Sequence, residues 1–364
     1  MNKTPITTAL LVSALTTLMT GTISAQAADQ APAVMGAGID ITPLCGTKPM
    51  VVALADGYGG DTWRRTTLAE FQDEAKKCKN VTKVLYTDAN GDQQKSNSDI
   101  NSLAAQGANV LVAFTDFGDA MVPALRRAQQ GGVTVVPYFS KIAGTSGKEY
   151  AANVYQDQVR VGGMWADWLG ANLKTGNVVL LGGTAGATSS QRFMDGFQAG
   201  LKKYPGLKLL DTNYIVTNWN PADGQKAVAG LIAKYGKIDG MASDYGVTTL
   251  AAIKAFEQAG LPVPAQVTLA SNNELNCKYL KAKAEKKAWP YLTLDGTSTL
   301  SRFALRRAVA AFQGTTNSEP MSVVPYVYAD SAKNLDPKCD AAAPPDADLS
   351  SGLAADKLNA LYKK

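Results

Sequence analysis

The stretch MVVALADGYGGDTWRRTTLAEFQDEAK, residues 50–76, decides how this chain is read. It reads as one strand, a loop and a helix, with Trp63-Arg64-Arg65 where the strand's carboxyl end passes into the helix. Open α/β sheets bind small molecules in the crevice beyond the carboxyl ends of their strands. An indole plate and two cationic forks at that point are therefore placed to hold a polar solute. The competing reading makes Trp63 partly buried packing and the arginines solvated.

Outward from this stretch the same alternation continues almost without a break. Strands are expected at 82–87, 110–114 and 133–138, with helices at 62–77, 96–106 and 118–130. The pattern then begins again: strands at 177–181, 207–214, 240–243, 266–270 and 289–294, and helices at 157–173, 190–204, 221–235, 247–259, 273–286 and 299–313. Asn220 before Pro221 gives a cap with proline at the first helical position, and Gly260 with Pro262 closes the 247–259 helix. Alternating strands and helices argue parallel sheets, here two similar wound lobes that can open and shut about a hinge. Past Pro337 the composition turns to Ala, Pro and Asp, with a short helical stretch near 354–362, as in a tail wrapped on the surface.

The amino terminus carries Lys3, an apolar run from Ala9 to Met19 and Ala25-Gln26-Ala27, a secretory signal pattern with cleavage expected after Ala27. No stretch approaches the roughly twenty apolar residues a membrane-spanning helix needs. The first cysteine, Cys45, is far from the cleavage point, so a freely diffusing periplasmic protein is expected rather than a lipid-anchored one. Losing residues 1–27 removes only Lys3 from 36 basic residues, leaving a balance of +4 against 31 acidic ones. With no concentrated basic stripe, nucleic-acid binding is disfavoured.

Four cysteines in an exported chain make two disulfides the default, with three pairings open on sequence alone. Cys45 precedes the first strand and Cys78 follows the first helix, points that return to the same edge of a sheet. Cys45–Cys78 and Cys277–Cys339 are therefore expected. A loop of about 33 residues closed this way stabilises by roughly 3–4 kcal/mol on the chain-entropy model.

The chain has no histidine, which removes Ser-His-Asp and Cys-His nucleophile systems and histidine-ligated metals. Gly182-Gly183-Thr184-Ala185-Gly186 matches neither a phosphate loop nor a dinucleotide fingerprint and reads as a tight strand-to-helix turn. What recurs at strand ends is polar and aromatic: Asp61, Trp63 and Arg64, then Asp116, Gln191 and Arg192, Trp219, Asp244 and Asn272. Carboxylates and amides pair with vicinal hydroxyls, and an indole lies against the C–H face of a sugar ring. Singly, Asp116, Asp244 and Asn272 could equally cap helices, and Trp63 and Trp219 could be core. Trp165, Trp168 and Trp289 are assigned to packing.

These residues resemble the type I periplasmic sugar-binding proteins, the ribose-binding group that serves ABC importers. The resemblance rests on Val51–Ala75, Phe114-Thr115-Asp116, Asp157-Gln158 with Gly162, Gln191–Phe197, Asn218-Trp219-Asn220, Ala242-Ser243-Asp244 and Leu269–Asn272. It implies two doubly wound parallel-sheet α/β lobes joined by a three-segment hinge near Phe139–Lys141, Thr293–Gly296 and after Val323. The expected divisions are a signal at 1–27, one lobe from 28–139 with 296–323, the other from 140–295 with 324–340, and a tail at 341–364. The family's contacts would fall on Asp61, on Trp63 and Trp219 as stacking aromatics, and on Asp116, Asp244 and Asn272. Thr293 and Gln191 or Arg192 would occupy further contact places. Arg64 departs from the ribose group, which commonly has a second aromatic there, so a furanose, a short polyol or an acidic sugar becomes eligible.

The function expected is hinge-closing capture of a small sugar or polyol for an inner-membrane ABC permease. No enzyme activity, cofactor, metal or nucleic acid is expected, a chemoreceptor is admitted as a further partner, and the protein is expected to be a monomer. A same-fold receptor for a furanone or nucleoside, or a secreted glycosidase using paired carboxylates, shares many of these features.

Overall fold

In the computed structural model the strand of the opening stretch, Met50–Asp56 (β1), is buried along nearly its whole length. A strand achieves this only in a sheet covered on both faces. The structure describes Met1 and residues 33–362; the signal and its cleavage point lie outside the described residues. The chain divides into units 1–31 and 32–364, and the strands and helices of the fold belong to the second.

In chain order, β1 leads to α1 (Thr62–Ala75), β2 (Val81–Asp88), α2 (Gln93–Ala105), β3 (Val110–Phe114), α3 (Val122–Gln130), β4 (Thr134–Phe139) and β5 (Val154–Gln156). The second lobe begins with α4 (Gln158–Leu173), then β6 (Gly176–Gly182), α5 (Thr188–Leu201), β7 (Leu207–Leu209), β8 (Ile215–Val216), α6 (Pro221–Tyr235) and β9 (Gly240–Ser243). It continues through α7 (Gly246–Gln258), β10 (Ala265–Leu269), α8 (Asn273–Ala284) and β11 (Tyr291–Asp295). The chain then returns as α9 (Leu300–Gln313) and β12 (Ser322–Val323), crosses again to β13 (Tyr326–Asp330), and ends in α10 (Ala355–Ala360).

One sheet has the order β12-β5-β4-β3-β1-β2, all parallel. The other runs β13-β11-β10-β9-β6-β7, with β8 also on β6 and only β13 antiparallel. Val52, Leu54 and Val112 meet α1 and α9 on one face of the first sheet, while Ala53, Leu111 and Val135 meet α2 and α3 on the other. In the second, Val178, Leu180 and Val267 pack on α4 and α5, and Val179, Leu181 and Met241 on α6 and α7.

The interface of α1 with α9 carries a buried ionic network beside its apolar contacts. Arg302 bonds Glu70 (2.6 Å) and Glu74 (2.9 Å), and Arg306 reaches Glu74 (3.0 Å) and Glu319 (2.8 Å), with the arginines, Glu70 and Glu74 all buried. Such a network fixes one packing geometry, because any other leaves a buried charge unpaired. Cys45–Cys78 and Cys277–Cys339 are bonded, the first closing the β1–α1 unit and the second rooting the tail on α8.

The chain passes between lobes after β5, after β11 and after β12. The first crossing is therefore at Gln156–Gln158, not near Phe139–Lys141, and residues 140–156 stay with the first sheet rather than opening the second lobe. Tyr138 and Phe139 of β4 pair with Val154 and Tyr155, and β12 then adds to β5. Three residues after a polar loop carry no periodic signal, so the sequence could not announce this strand. Of the expected strand 207–214 only Leu207–Leu209 (β7) forms; the chain then turns, and β8 begins just past it at Ile215.

Candidate functional site

The carboxyl ends of both sheets face one cavity of about 550 Å³, mouth included. From the first lobe it is lined by Tyr58, Asp61, Trp63, Arg64, Phe114, Asp116 and Phe139. Ser189, Phe193, Trp219, Asp244, Tyr245, Leu269 and Ala270 come from the second, and Thr297 from the β11–α9 crossing.

On the first wall, Asp61 is the N-cap of α1 and accepts from the Arg64 backbone N–H (2.8 Å), which starts the helix and aims the next residues inward. The buried Arg64 guanidinium donates to Asp56 (2.6 Å) and, through both terminal nitrogens, to Asp116 (2.7 and 3.2 Å). Its carbon lies 3.6 Å over the Phe114 ring. Burial works against the Arg64 charge, but Asp116 and Asp56 more than offset it and hold the cation charged. Burial pushes the Asp116 carboxyl up, with Arg64 opposing and Asp56 adding to the rise. Asp61 keeps exposed surface, yet desolvation of its carboxyl within the cleft raises it, with Arg64 opposing. Trp63 stands edge-on to Phe114 and Phe139, and its indole N–H donates to Thr297 Oγ1 (2.9 Å). It packs against the cores of both lobes.

On the second wall, Asp244 follows β9 and is buried among neutral donors: Ser190 Oγ at 2.5 Å and the Trp219 indole N–H at 3.1 Å. Burial pushes its carboxyl up to about 7, while Ser190 and Trp219 restrain the rise. The Trp219 ring meets Tyr58 of the first lobe edge-on across the cavity, centroids 5.9 Å apart. Gly183 is required here, since a β-carbon on it would overlap the indole. The tight turn expected at Gly182–Gly186 is thus also a seat for Trp219. Gly57 does the same for Asp116, to which its backbone N–H donates (3.1 Å).

Backbone strain gathers at this cavity. Phe139 (φ 90°), Trp219 (φ 50°) and Ala270 (φ 51°) are left-handed non-glycine residues and all line it. Side chains persist in that region only where their surroundings over-determine them, which is common at ligand clamps.

The structure brings together Asp61, Trp63, Arg64, Asp116, Trp219 and Asp244 from the sequence candidates. It does not place Gln191, Arg192, Asn272 or Thr293 on the cavity. Along α5 the cavity face is Ser189 and Phe193, one turn apart. Gln191 is therefore rotated into solvent, where it bonds Asp195 (2.8 Å), and Arg192 lines a neighbouring polar pocket with Lys141 and Gln156. Asn272 is consumed as the cap of α8, accepting from the Leu275 N–H (2.9 Å). Thr293 is buried in β11 and donates to Asp295 (3.2 Å). Tyr58, Phe114, Phe139 and Tyr245 were missed, although each lies at or just past a strand's carboxyl end. Among the described residues no group of acidic or cysteine side chains is placed to hold a metal ion, and no helix is long and apolar enough to cross a membrane.

Residues 52–314 match the periplasmic binding protein domain. The chain belongs to that family. This periplasmic binding protein is 28% identical over 202 residues to the xylitol-binding protein of Mycolicibacterium smegmatis, covering 53% of this chain and 55% of that one. It is 27% identical over 183 residues to the D-xylose-binding periplasmic protein of Escherichia coli, covering 49% and 54%. The chain thus spans about half the length of the curated relatives it matches. A solved fructose binding periplasmic domain of a hybrid two component system superposes with a TM-score of 0.66 at 20% identity, covering 78% of this chain and 91% of the other, a likeness of fold. Family and neighbours are binding proteins rather than enzymes, and membership implies a periplasmic location.

Proposed function

We propose that this periplasmic binding protein is the solute-capturing component of an ABC importer and closes its two lobes on a small sugar or polyol. The observation that carries the reading is the cavity itself. Carboxyl groups and half-buried indole and phenol rings are contributed by both lobes to one space between three chain crossings. Carboxylate oxygens accept vicinal hydroxyls, and the rings cover the C–H faces left between them. Xylitol and D-xylose, named for the two curated relatives, have the corresponding chemistry.

The Arg64 charge is already neutralised by Asp56 and Asp116, while Asp61 and Asp244 add further carboxyls to a lining whose one cation among the described residues is Arg64. That balance favours neutral ligands over acidic sugars, against the acidic-sugar option that Arg64 opened in the sequence. A permease distinguishes loaded from empty protein by shape, so the ligand has to favour the closed form. Export by a signal cleaved after Ala27, a monomeric state and a permease partner belong to the same reading.

A thermal-shift screen over pentoses, hexoses, furanoses, polyols and sugar acids tests it. At least one neutral polyhydroxylated solute should stabilise the protein, and Trp219→Ala or Asp244→Ala should abolish that shift. Stabilisation by sugar acids alone, or shifts unchanged in both variants, would remove the assignment.

A further inference from the structure

Beyond β13 the chain crosses between the lobes once more, and this crossing is bonded at both ends and in its middle. Its first footing is α8. Cys339 is disulfide-bonded to Cys277, the Asn273 amide donates to the carbonyls of Asp340 (2.8 Å) and Ala343 (3.1 Å), and the backbone N–H of Asn273 reaches the Ala347 carbonyl (2.9 Å). Its second footing is α1, the helix that presents Asp61, Trp63 and Arg64. There the Ser351 hydroxyl (2.9 Å) and the Gly352 N–H (3.0 Å) donate to Glu70, Lys357 pairs with Asp73, and the Tyr362 and Thr66 hydroxyls meet at 2.9 Å.

Between the footings the tail lies on the hinge. Ser298 donates to Asp348 (3.0 Å) and the Gly296 N–H to Ser350 Oγ (2.9 Å), both at the β11–α9 crossing. Tyr326, at the β12–β13 crossing, donates to the Ser350 carbonyl (3.4 Å). Asp348 is buried and receives its partners from the hinge and from its own turn, so it is satisfied only while tail and hinge keep this relation. Ala347, Leu353 and Leu358 bury an apolar seam of their own, with Ala69 of α1 packed against it.

The geometry points to residues 339–362 as a strap that fastens α8 of one lobe to α1 of the other across the hinge, biasing the protein toward its closed arrangement. Rotation of the lobes moves the two footings apart and separates the strap's polar atoms from the crossings. An element bonded in only one arrangement shifts the population toward it and raises apparent affinity by the same factor. This deepens the closure mechanism proposed above and rests on it.

The test is the chain ended after Asp340, which keeps both disulfides, beside full-length Ser350→Ala/Ser351→Ala. Ligand-free small-angle scattering should show a larger radius of gyration for the shortened chain. Hydrogen exchange at the Gly296 amide, whose acceptor is Ser350 Oγ, should accelerate in both variants. Xylitol affinity should fall about tenfold in the shortened chain, within the usual range for coupling between a bistable element and a site. Unchanged scattering of the shortened chain, or hinge exchange unchanged in the double variant, would overturn the strap. Should the shortened chain not fold, exchange in the double variant decides alone. Failure of the solute-binding reading would look different: neither intact nor altered protein would respond to any sugar or polyol, while the ligand-free differences persisted.

Discussion

The two walls of the cavity solve the problem of buried charge in opposite ways. On the first, Arg64 is clamped by Asp56 and Asp116 and stacked on Phe114, so charges compensate one another and no side chain is free to swing. On the second, Asp244 has no cation; two neutral donors hold it, and the Trp219 that supplies one of them is itself held in left-handed backbone. The first wall is a finished platform. The second keeps an unspent electrostatic demand that a hydroxyl-rich ligand can meet, because its buried carboxyl has only neutral donors to oppose the rise that burial imposes.

Breaking the platform should have the largest effect. Arg64→Met leaves Asp56 and Asp116 buried without their cation, and losing one partner of a buried pair costs about 3–5 kcal/mol. Urea unfolding at neutral pH should show that loss, with part of it recovered at lower pH as the buried Asp116 carboxyl, already raised by burial, takes up a proton. Asp244→Asn, nearly isosteric with the neutral carboxyl that burial favours, should not destabilise at neutral pH. Equal losses from both substitutions would erase the distinction between the walls.

A second test moves the indole without touching a hydrogen-bonding group. Gly183→Ala puts a β-carbon where the Trp219 ring lies. The fold should survive with a loss of about 1–3 kcal/mol, the usual range for overpacking. Ligand-induced stabilisation should disappear, as in Trp219→Ala. Retained ligand response would show that the ring's position is not what the ligand reads.

The pH dependence sharpens the contrast further. Asp244 holds its proton up to about 7 in the folded protein but releases it near its ordinary 3.8 when unfolded. The folded state therefore binds more protons between those values, and this contribution to stability is lost as pH rises through about 7. Relative to Asp244→Asn, the wild type should lose stability across that window, by at most about 1.4 kcal/mol per pH unit. Parallel stability profiles for the two proteins would show that Asp244 is ionised throughout.

The architecture was legible because each sheet is buried on both faces, so β1 and β3 stand out as apolar runs and Asp61, Asn220 and Asn272 mark helix starts. The half of the site next to those signals was legible too, since Asp116 and Asp244 follow strands closely and Trp63 stands in the first turn of the helix that follows β1. Three-residue β5 was not, because its pairing with β4 and β12 is long-range and leaves no local pattern. Nor was the role of Arg64. Cationic residues at a cleft suggest an anion, and only the fold shows the two carboxylates that use up the charge. The same holds for α1, whose buried face carries Glu70 and Glu74 and so reads in sequence as solvated.

The smallest expected effects concern residues the sequence put at the site and the fold did not. Along α5, positions i and i+4 face the cavity, which selects Ser189 and Phe193 and turns Gln191 nearly half a turn away from both. Gln191→Ala should leave ligand affinity and melting temperature unchanged within error, because it removes only an exposed bond to Asp195. Ser189→Phe, one turn before Phe193, should fill the cavity and block binding with little change in stability. Calorimetry on the pair gives the contrast directly. A strong effect from Gln191 and none from Ser189 would mean that α5 presents a different face to the ligand, and the second wall would have to be rebuilt around it.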